Sequence, residues 1–268
     1  MADAFDRPRF ESRLATRRLA RALVVRERTG STNDDVWEAL GVLGDGAAVL
    51  ALEQTAGRGR AGRSWSQVPG RGLAYSFALH LGCDRRALGL VPLAAGLAVL
   101  QSVHALGVTS ARLKWPNDVL VTGAKLAGVL CEARRAPGGG DAVAIGIGLN
   151  VAHTADDLPP ELRATATSLA LQGSAATLAD AAAEVANRFE PLWDALQEGD
   201  RTRVLAEWTR WGAHWGEWVT VRTPAGPVSG TALRLDDEGG LVLRTAEGPE
   251  RIVLAGDLSP STEGSDAA

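Results

Sequence analysis

R-L-K-W-P-N-D-V-L-V-T-G-A-K-L-A-G-V-L-C-E-A, residues 112–133, decides how this 268-residue chain folds. Apolar runs at 119–121 and 126–133 flank Thr122-Gly123, which marks a tight turn between two strands. A third short strand lies just before them, near 112–115. Neighbouring strands joined directly, with no helix between, belong to an α+β pattern rather than to a doubly wound parallel sheet. Pro116 fixes the backbone at the strand end and gathers Lys114, Asn117 and Asp118 within five residues. Seven residues beyond Asp118, Lys125 opens the partner strand. Such a turn could aim Asn117 and Asp118 at a nucleotide or its Mg²⁺ and bring Lys125 to the same place. The plainer reading is a polar hairpin turn with a surface lysine.

Working outward, residues 88–106 form a long apolar segment ended by Gly107, which predicts a buried central helix. Strands are expected at 23–26, 47–53, 73–81 and 142–149. Ser31-Thr32-Asn33 cap a helix whose apolar positions Val36, Trp37, Leu40 and Leu43 fall at helical spacing. Two more helices read at 178–196 and 201–211. After Gly216 short strands at 218–222, 228–235, 241–244 and 251–254 alternate with turns, which suggests a small β-barrel. The expected organisation is a loose arm at 1–22, a large domain at 23–215, a small one at 216–260 and a disordered tail at 261–268.

Composition narrows the function. The formal net charge is −4, against a general nucleic-acid binder, which needs a basic surface to displace counterions. Cys83 and Cys131 have no paired spacing, as in a reduced, cytoplasmic protein. The N-terminus lacks the apolar core of a signal peptide, and no apolar run reaches the ~18 residues of a membrane span. His80, His104, His153 and His214 lack the spacing of a zinc site and read as ordinary core or surface residues.

The densest signal is Gly57-Arg58-Gly59-Arg60-Ala61-Gly62-Arg63. Its glycines fit G-x-G-x-x-G, but no helix follows Gly62 and no acidic residue ends a second parallel strand some 20 residues on. No Gly-Lys-Ser/Thr closes it as a phosphate loop. Arginine forks bind phosphate and carboxylate, and glycines let backbone approach an anion. A run of repelling like charges predicts a mobile loop that a polyanion would order. In isolation a solvated basic loop, or an RNA-contacting one, is the simpler reading.

Four segments in order change that balance: GRGRAGRSW (57–65), KWPNDV (114–119), KLAGVLCE (125–132) and GIGLNV (146–151). Together they resemble the biotin–protein ligases, over roughly residues 23–260. The resemblance implies a mixed β-sheet catalytic domain with flanking helices, of the class II synthetase kind, and a C-terminal SH3-like barrel. It implies biotin contacts at Ser31, Thr32, Asn33, Gln54, Arg58, Gly59, Arg60 and Lys125. It implies ATP or adenylate contacts at Arg58, Arg60, Arg63, Trp65, Lys114, Asn117, Asp118 and Asn150, with Asp118 beside a metal. Lys125 and Arg60 are the implied catalytic pair. Gly146 and Gly148 either admit backbone close to ligand or are plain sheet glycines. Trp65 either stacks near the nucleotide or anchors the loop.

The implied activity makes biotinyl-AMP from biotin and MgATP and passes the biotin to a lysine of the biotin carboxyl carrier protein or domain of an acetyl-CoA or acyl-CoA carboxylase. Only about 22 residues precede the resemblance, too few for a helix-turn-helix domain, so a ligase-only protein without DNA binding is expected, monomeric or weakly dimeric. A lipoate–protein ligase and a non-catalytic biotin- or nucleotide-binding regulator are the alternatives. Trp193, Trp208, Trp211, Trp215 and Trp218 are expected to pack where the two domains meet.

Overall fold

The computed structural model describes residues 5–82, 84–136 and 139–260. Cys83, part of the turn around Pro137-Gly138 and the tail at 261–268 lie outside the described residues. Seven strands form a mixed sheet: β1 (Leu23–Thr29), β2 (Ala48–Gln54), β3 (Gly72–Leu81), β4 (Ala111–Lys114), β5 (Asp118–Val121), β6 (Ala124–Arg135) and β7 (Asp141–Asn150). Their order is β1-β2-β3-β7-β6-β5-β4. Only β1 and β2 run parallel; every other neighbouring pair is antiparallel. The Thr122-Gly123 turn joins β5 to β6 as expected, both residues having positive φ.

Strand alternation sends the large side chains of β3, β6 and β7 one way. Tyr75, Val129 and Ile147 lie in the main core, which is covered by helices α3 (Val91–Ala105) and α4 (Leu178–Gln197). The other face carries helix α2 (Thr32–Leu43), whose Val36, Ala39 and Leu40 pack on Ala78, Ala142 and Ala144. Beyond that helix this face is nearly bare. Register aligns Ala74 with Gly148 and Gly128, and Ser76 with Gly146 and Leu130. The small residues leave an open floor across three strands.

The expected loose arm is instead folded. Helix α1 (Arg7–Arg13) buries Phe10 and packs on α4. Arg9 and Arg13 pair with Asp180 at 2.8 and 2.7 Å. The buried Glu190 carboxylate accepts the backbone amides of Arg17, Arg18 and Leu19 at 2.7, 2.9 and 2.9 Å. The Arg-rich composition that suggested a solvated arm is matched by acids on α4, which sequence order places about 170 residues away. Asp180 also completes a reciprocal cap with Thr177 at the start of α4.

After α5 (Thr202–Trp211) come β8 (Trp218–Thr223), β9 (Gly226–Leu235), β10 (Leu241–Arg244), β11 (Glu250–Val253) and β12 (Asp257–Pro260). They make one antiparallel sheet in the order β11-β10-β9-β8-β12. The fifth strand is additional to the four expected, and it pairs with β8. The tryptophans divide: Trp208 is fully buried and donates to the Leu93 carbonyl, and Trp215 donates to the Trp208 carbonyl. Trp193 instead sits beside Phe189 under the large sheet. A tie between the two sheets comes from Trp115, whose indole N–H donates to the Gly239 carbonyl at 3.0 Å. Among the described residues no helix is long and apolar enough to cross a membrane.

Candidate functional site

A cleft of about 670 Å³ opens over the bare floor, and every candidate site residue lines it: Ser31, Thr32, Asn33, Gln54, Arg58, Gly59, Arg60, Arg63, Trp65, Lys114, Asn117, Asp118, Lys125 and Asn150. At one end is the start of α2. Ser31 stands at the N-cap position, but its side chain makes no capping hydrogen bond, contrary to the simple cap reading. The first-turn amide of Thr32 donates to Gln54 Oε1 at 2.8 Å, and its hydroxyl does so at 3.1 Å. The Ser76 hydroxyl lies 2.7 Å from Thr32 Oγ1 and 2.8 Å from Asn33 Oδ1. Asn33 Nδ2 donates to Glu132 Oε2 at 2.7 Å. The side chains that line this end of the cleft, Ser31, Thr32, Asn33 and Gln54, are polar and neutral, and the Glu132 carboxylate that holds Asn33 is not among them.

The two sheet glycines are required by close approach. A methyl on Gly146 would meet Asn33 Cγ at 2.9 Å, and one on Gly148 would meet Trp65 Cζ2 at 2.6 Å. Trp65 therefore lies flat across the floor, its N–H buried without a protein partner. Lys125 Nζ stands 5.7 Å from the Trp65 ring centre and 2.7 Å from Asp118 Oδ1. That pair is ionic and off the hydrogen-bond direction, since Asp118 Oδ1 has no aligned donor. The hairpin reading that placed Lys125 beside Asp118 is thus matched by their separation.

The arginine-glycine loop, expected to be mobile, is tied to other segments at several points in the structure. Gly59 and Trp65 amides donate to the Arg63 and Gly57 carbonyls at 2.7 and 2.9 Å, closing the loop as a small hairpin. Its charges do not merely repel, because other segments supply acids. Arg58 forks onto both Asp34 oxygens at 2.7 and 2.8 Å and reaches Glu132 at 3.3 Å. The hydrogen bond from Arg58 holds the Asp34 carboxyl below its ordinary value. Arg63 pairs with Asp257 of β12 at 2.6 Å. Arg60 has no carboxylate at that range; it donates to Asn117 Oδ1 at 3.3 Å. Burial pushes the Arg60 guanidinium down from its ordinary value, yet an arginine stays charged.

Two groups escaped the sequence reading. Leu158, Pro159, Leu162, Thr165 and Ala166 form an apolar side wall of the cleft. The Lys125 backbone straps them down, its N–H donating to Thr165 and its carbonyl accepting from Thr167. Asn150 braces the same segment by donating to the Thr167 carbonyl at 2.9 Å. His153, expected to be ordinary, is buried on the cleft wall with Nδ1 unpartnered. Burial pushes its pKa down, so it is neutral at pH 7. No periodicity marks an irregular segment, and a lone histidine carries no spacing signal. Among the described residues no group of three or more His, Cys, Asp or Glu side chains is placed to hold a metal.

Residues 25–151 match the biotin/lipoate A/B protein ligase family, and residues 214–259 match the biotin protein ligase C-terminal domain. A biotin–[acetyl-CoA-carboxylase] ligase of Mycobacterium tuberculosis is 36% identical over 245 residues, covering 89% of this chain and 88% of that protein. One of Paracoccus denitrificans is 34% identical over 234 residues, covering 85% and 96%. The bifunctional ligase/repressor BirA of Bacillus subtilis is 34% identical over 212 residues, and the aligned part spans only 65% of its length. The Aquifex aeolicus biotin protein ligase solved with biotin and ATP superposes with a TM-score of 0.79 at 28% identity, covering 90% of this chain and 100% of that one.

Proposed function

This chain belongs to the biotin/lipoate A/B protein ligase family, and from that premise we propose that it joins biotin to AMP at the expense of MgATP and then passes the biotin to a lysine of a biotin carboxyl carrier domain. The observation that carries the reading is convergence: the four segments between residues 57 and 151 all contribute to one cleft.

Biotin's carboxylate is already an anion at pH 7, so its attack on the α-phosphorus needs no general base. The obstacle is the approach of one anion to another, which enzymes meet by positioning and charge. Biotin lies at the neutral end, against Ser31, Thr32, Asn33 and Gln54. Its carboxylate points toward Lys125, the cation at the middle of the floor. The adenylate lies along Trp65, Lys114, Asn117 and Asn150. Arg58, Gly59 and Arg63 hold the covering loop in place, while Arg60 turns its charge on the phosphate. Lys114 lines the cleft and has no protein ion-pair partner among the described residues.

Magnesium is ordinarily held by one or two carboxylates together with substrate phosphates, and Asp118 suits the single protein oxygen of such a site, where the ion would offset phosphate charge. The mixed anhydride left after pyrophosphate departs is destroyed by water, so the loop must shield it. The deciding experiment is mass spectrometry of a purified biotin carboxyl carrier domain after incubation with this protein, biotin and MgATP. A gain of one biotinyl group on a lysine is expected. An unmodified carrier, or preferential use of lipoate in competition, would overturn the reading.

A further inference from the structure

Behind the arginine-glycine loop lies a second hollow of about 470 Å³, to which the reading above assigns no step. Arg58, Gly59, Arg60 and Arg63 line both hollows, so the loop is a partition between them. Arg60 is the middle of the partition: it lines the cleft together with Asp118 and the second hollow together with Cys131. The far walls are apolar, built by Pro92, Trp115, Pro116 and Leu254. The one carboxylate, Glu132, is already engaged by Asn33 and Arg58. Leu254 stands 70% exposed at the outer edge. The β9–β10 turn, whose Gly239 lines the hollow, leaves Asp237 and Glu238 exposed beside it.

An acidic mouth, apolar walls and a cationic inner end suit one kind of guest. A lysine side chain is an aliphatic stem carrying an amine. Asp237 and Glu238 attract its ammonium from solvent, and apolar walls accept the stem. Burial and the like charge of Arg60 then favour loss of the proton, which nucleophilic attack requires. Pyrophosphate, which Arg58, Arg60 and Arg63 would also attract, is the competing guest, and the test below separates the two.

We propose that this second hollow is the passage by which the acceptor lysine of the carrier protein reaches the adenylate, with Leu254 setting the width of its mouth. The proposal rests on the ligase reading above. The chemistry balances without any redox partner. The ammonium releases one proton to water at the mouth. The amine lone pair forms the N–C bond at the acyl carbon, the C–O bond to the adenylate phosphate breaks, and the second proton leaves on the phosphate of AMP.

The test separates the two half-reactions. Biotin-dependent exchange of pyrophosphate into ATP needs no acceptor. Transfer from preformed biotinyl-AMP to a purified biotin carboxyl carrier domain does, whereas hydroxylamine is small enough to pass a narrowed mouth. Leu254→Trp fills the mouth from an exposed position, and Leu254→Arg adds a like charge there; melting curves check that each folds. Both variants should keep exchange and hydroxylamine cleavage within about twofold of the parent and cut carrier transfer by about tenfold or more, some 1.4 kcal/mol of barrier. Carrier transfer at the parent rate overturns the passage. So does a parallel fall in exchange, which would give the hollow to pyrophosphate. A parent protein with no biotin-dependent exchange refutes the ligase reading itself, and the passage with it.

Discussion

Adding one methyl at Gly148 should disable the cleft without unfolding the protein. Gly148 lies in the middle of β7, paired with Ala74 on one side and Gly128 on the other, so its backbone cannot recede. In Gly148→Ala the new Cβ would sit 2.6 Å from Trp65 Cζ2 and 2.8 Å from Cδ2, where ordinary contact begins at 3.4 Å. The indole must therefore rise by about 0.8 Å or more. It cannot slide sideways freely, because the Trp65 amide is bonded to the Gly57 carbonyl at 2.9 Å. The displacement passes into the loop that holds Arg58 and Arg60. A misplacement of about 1 Å near reacting groups typically costs on the order of 10² in rate, or about 2.7 kcal/mol of barrier. Biotin-dependent pyrophosphate exchange measures the loss directly, and thermal melting monitors the fold. Exchange within about twofold of the parent, with the melting point unchanged, would show that Trp65 does not define the floor and would refute the reasoning.

Lys125→Ala removes the cation paired with Asp118 and should lower pyrophosphate exchange by about 10² to 10³, at unchanged melting temperature, as loss of one well-placed donor does; near-normal exchange rejects its role. Arg60→Gly opens the partition and should shorten the time for which biotinyl-AMP stays bound, as read by rapid filtration; retention equal to the parent rejects the shielding role of the loop. Burial opposes the Glu190 carboxylate, but the amides of Leu19, Arg17 and Arg18 outweigh it and hold its pKa below the ordinary 4.5. Its stabilisation is therefore present above pH 4.5 and fades as the pH falls below that value toward the lower folded pKa. Urea midpoints of Glu190→Gln and the parent should differ at pH 6 and converge toward pH 3; a constant gap would contradict the assignment.

Much of the fold was legible because its signals are local. The turn at Thr122-Gly123, the apolar run over α3 and the spacing of Val36 and Leu40 each report on residues near in sequence, although Leu43, expected on the same apolar face, is exposed. The same holds for most candidate site residues, which fall in the four motif segments, with Ser31-Thr32-Asn33 and Gln54 upstream of them. What sequence could not carry is pairing across distance. Nothing near Arg9 or Arg13 announces Asp180, and nothing near Arg17 announces Glu190, so the first 22 residues read as solvated. Strand β12 was missed because Asp257–Pro260 is four residues with a terminal proline, and only its pairing with β8 makes it a strand. The wall at 157–166 has no period at all; it is held by backbone bonds to Lys125.

That distinction decides what the arginine-glycine loop does. Taken alone, three arginines in seven residues repel, and only a bound polyanion could order them. In the structure the protein itself offsets most of that repulsion: Arg58 is matched by Asp34 and Glu132, and Arg63 by Asp257. Both are spent on holding the loop to the helix α2 side and to the small sheet. Arg60 has only an amide oxygen at 3.3 Å, within a site whose burial already disfavours its charge. On the reading proposed above, an incoming phosphate would gain most from Arg60, a desolvated cation with Asp257 and Asp118 near but no carboxylate in hydrogen-bond range, and least from Arg58, whose fork it would first have to break. The ordered loop is thus a scaffold of paired arginines presenting a single unpaired one, and the shared motif residues are unequal in consequence.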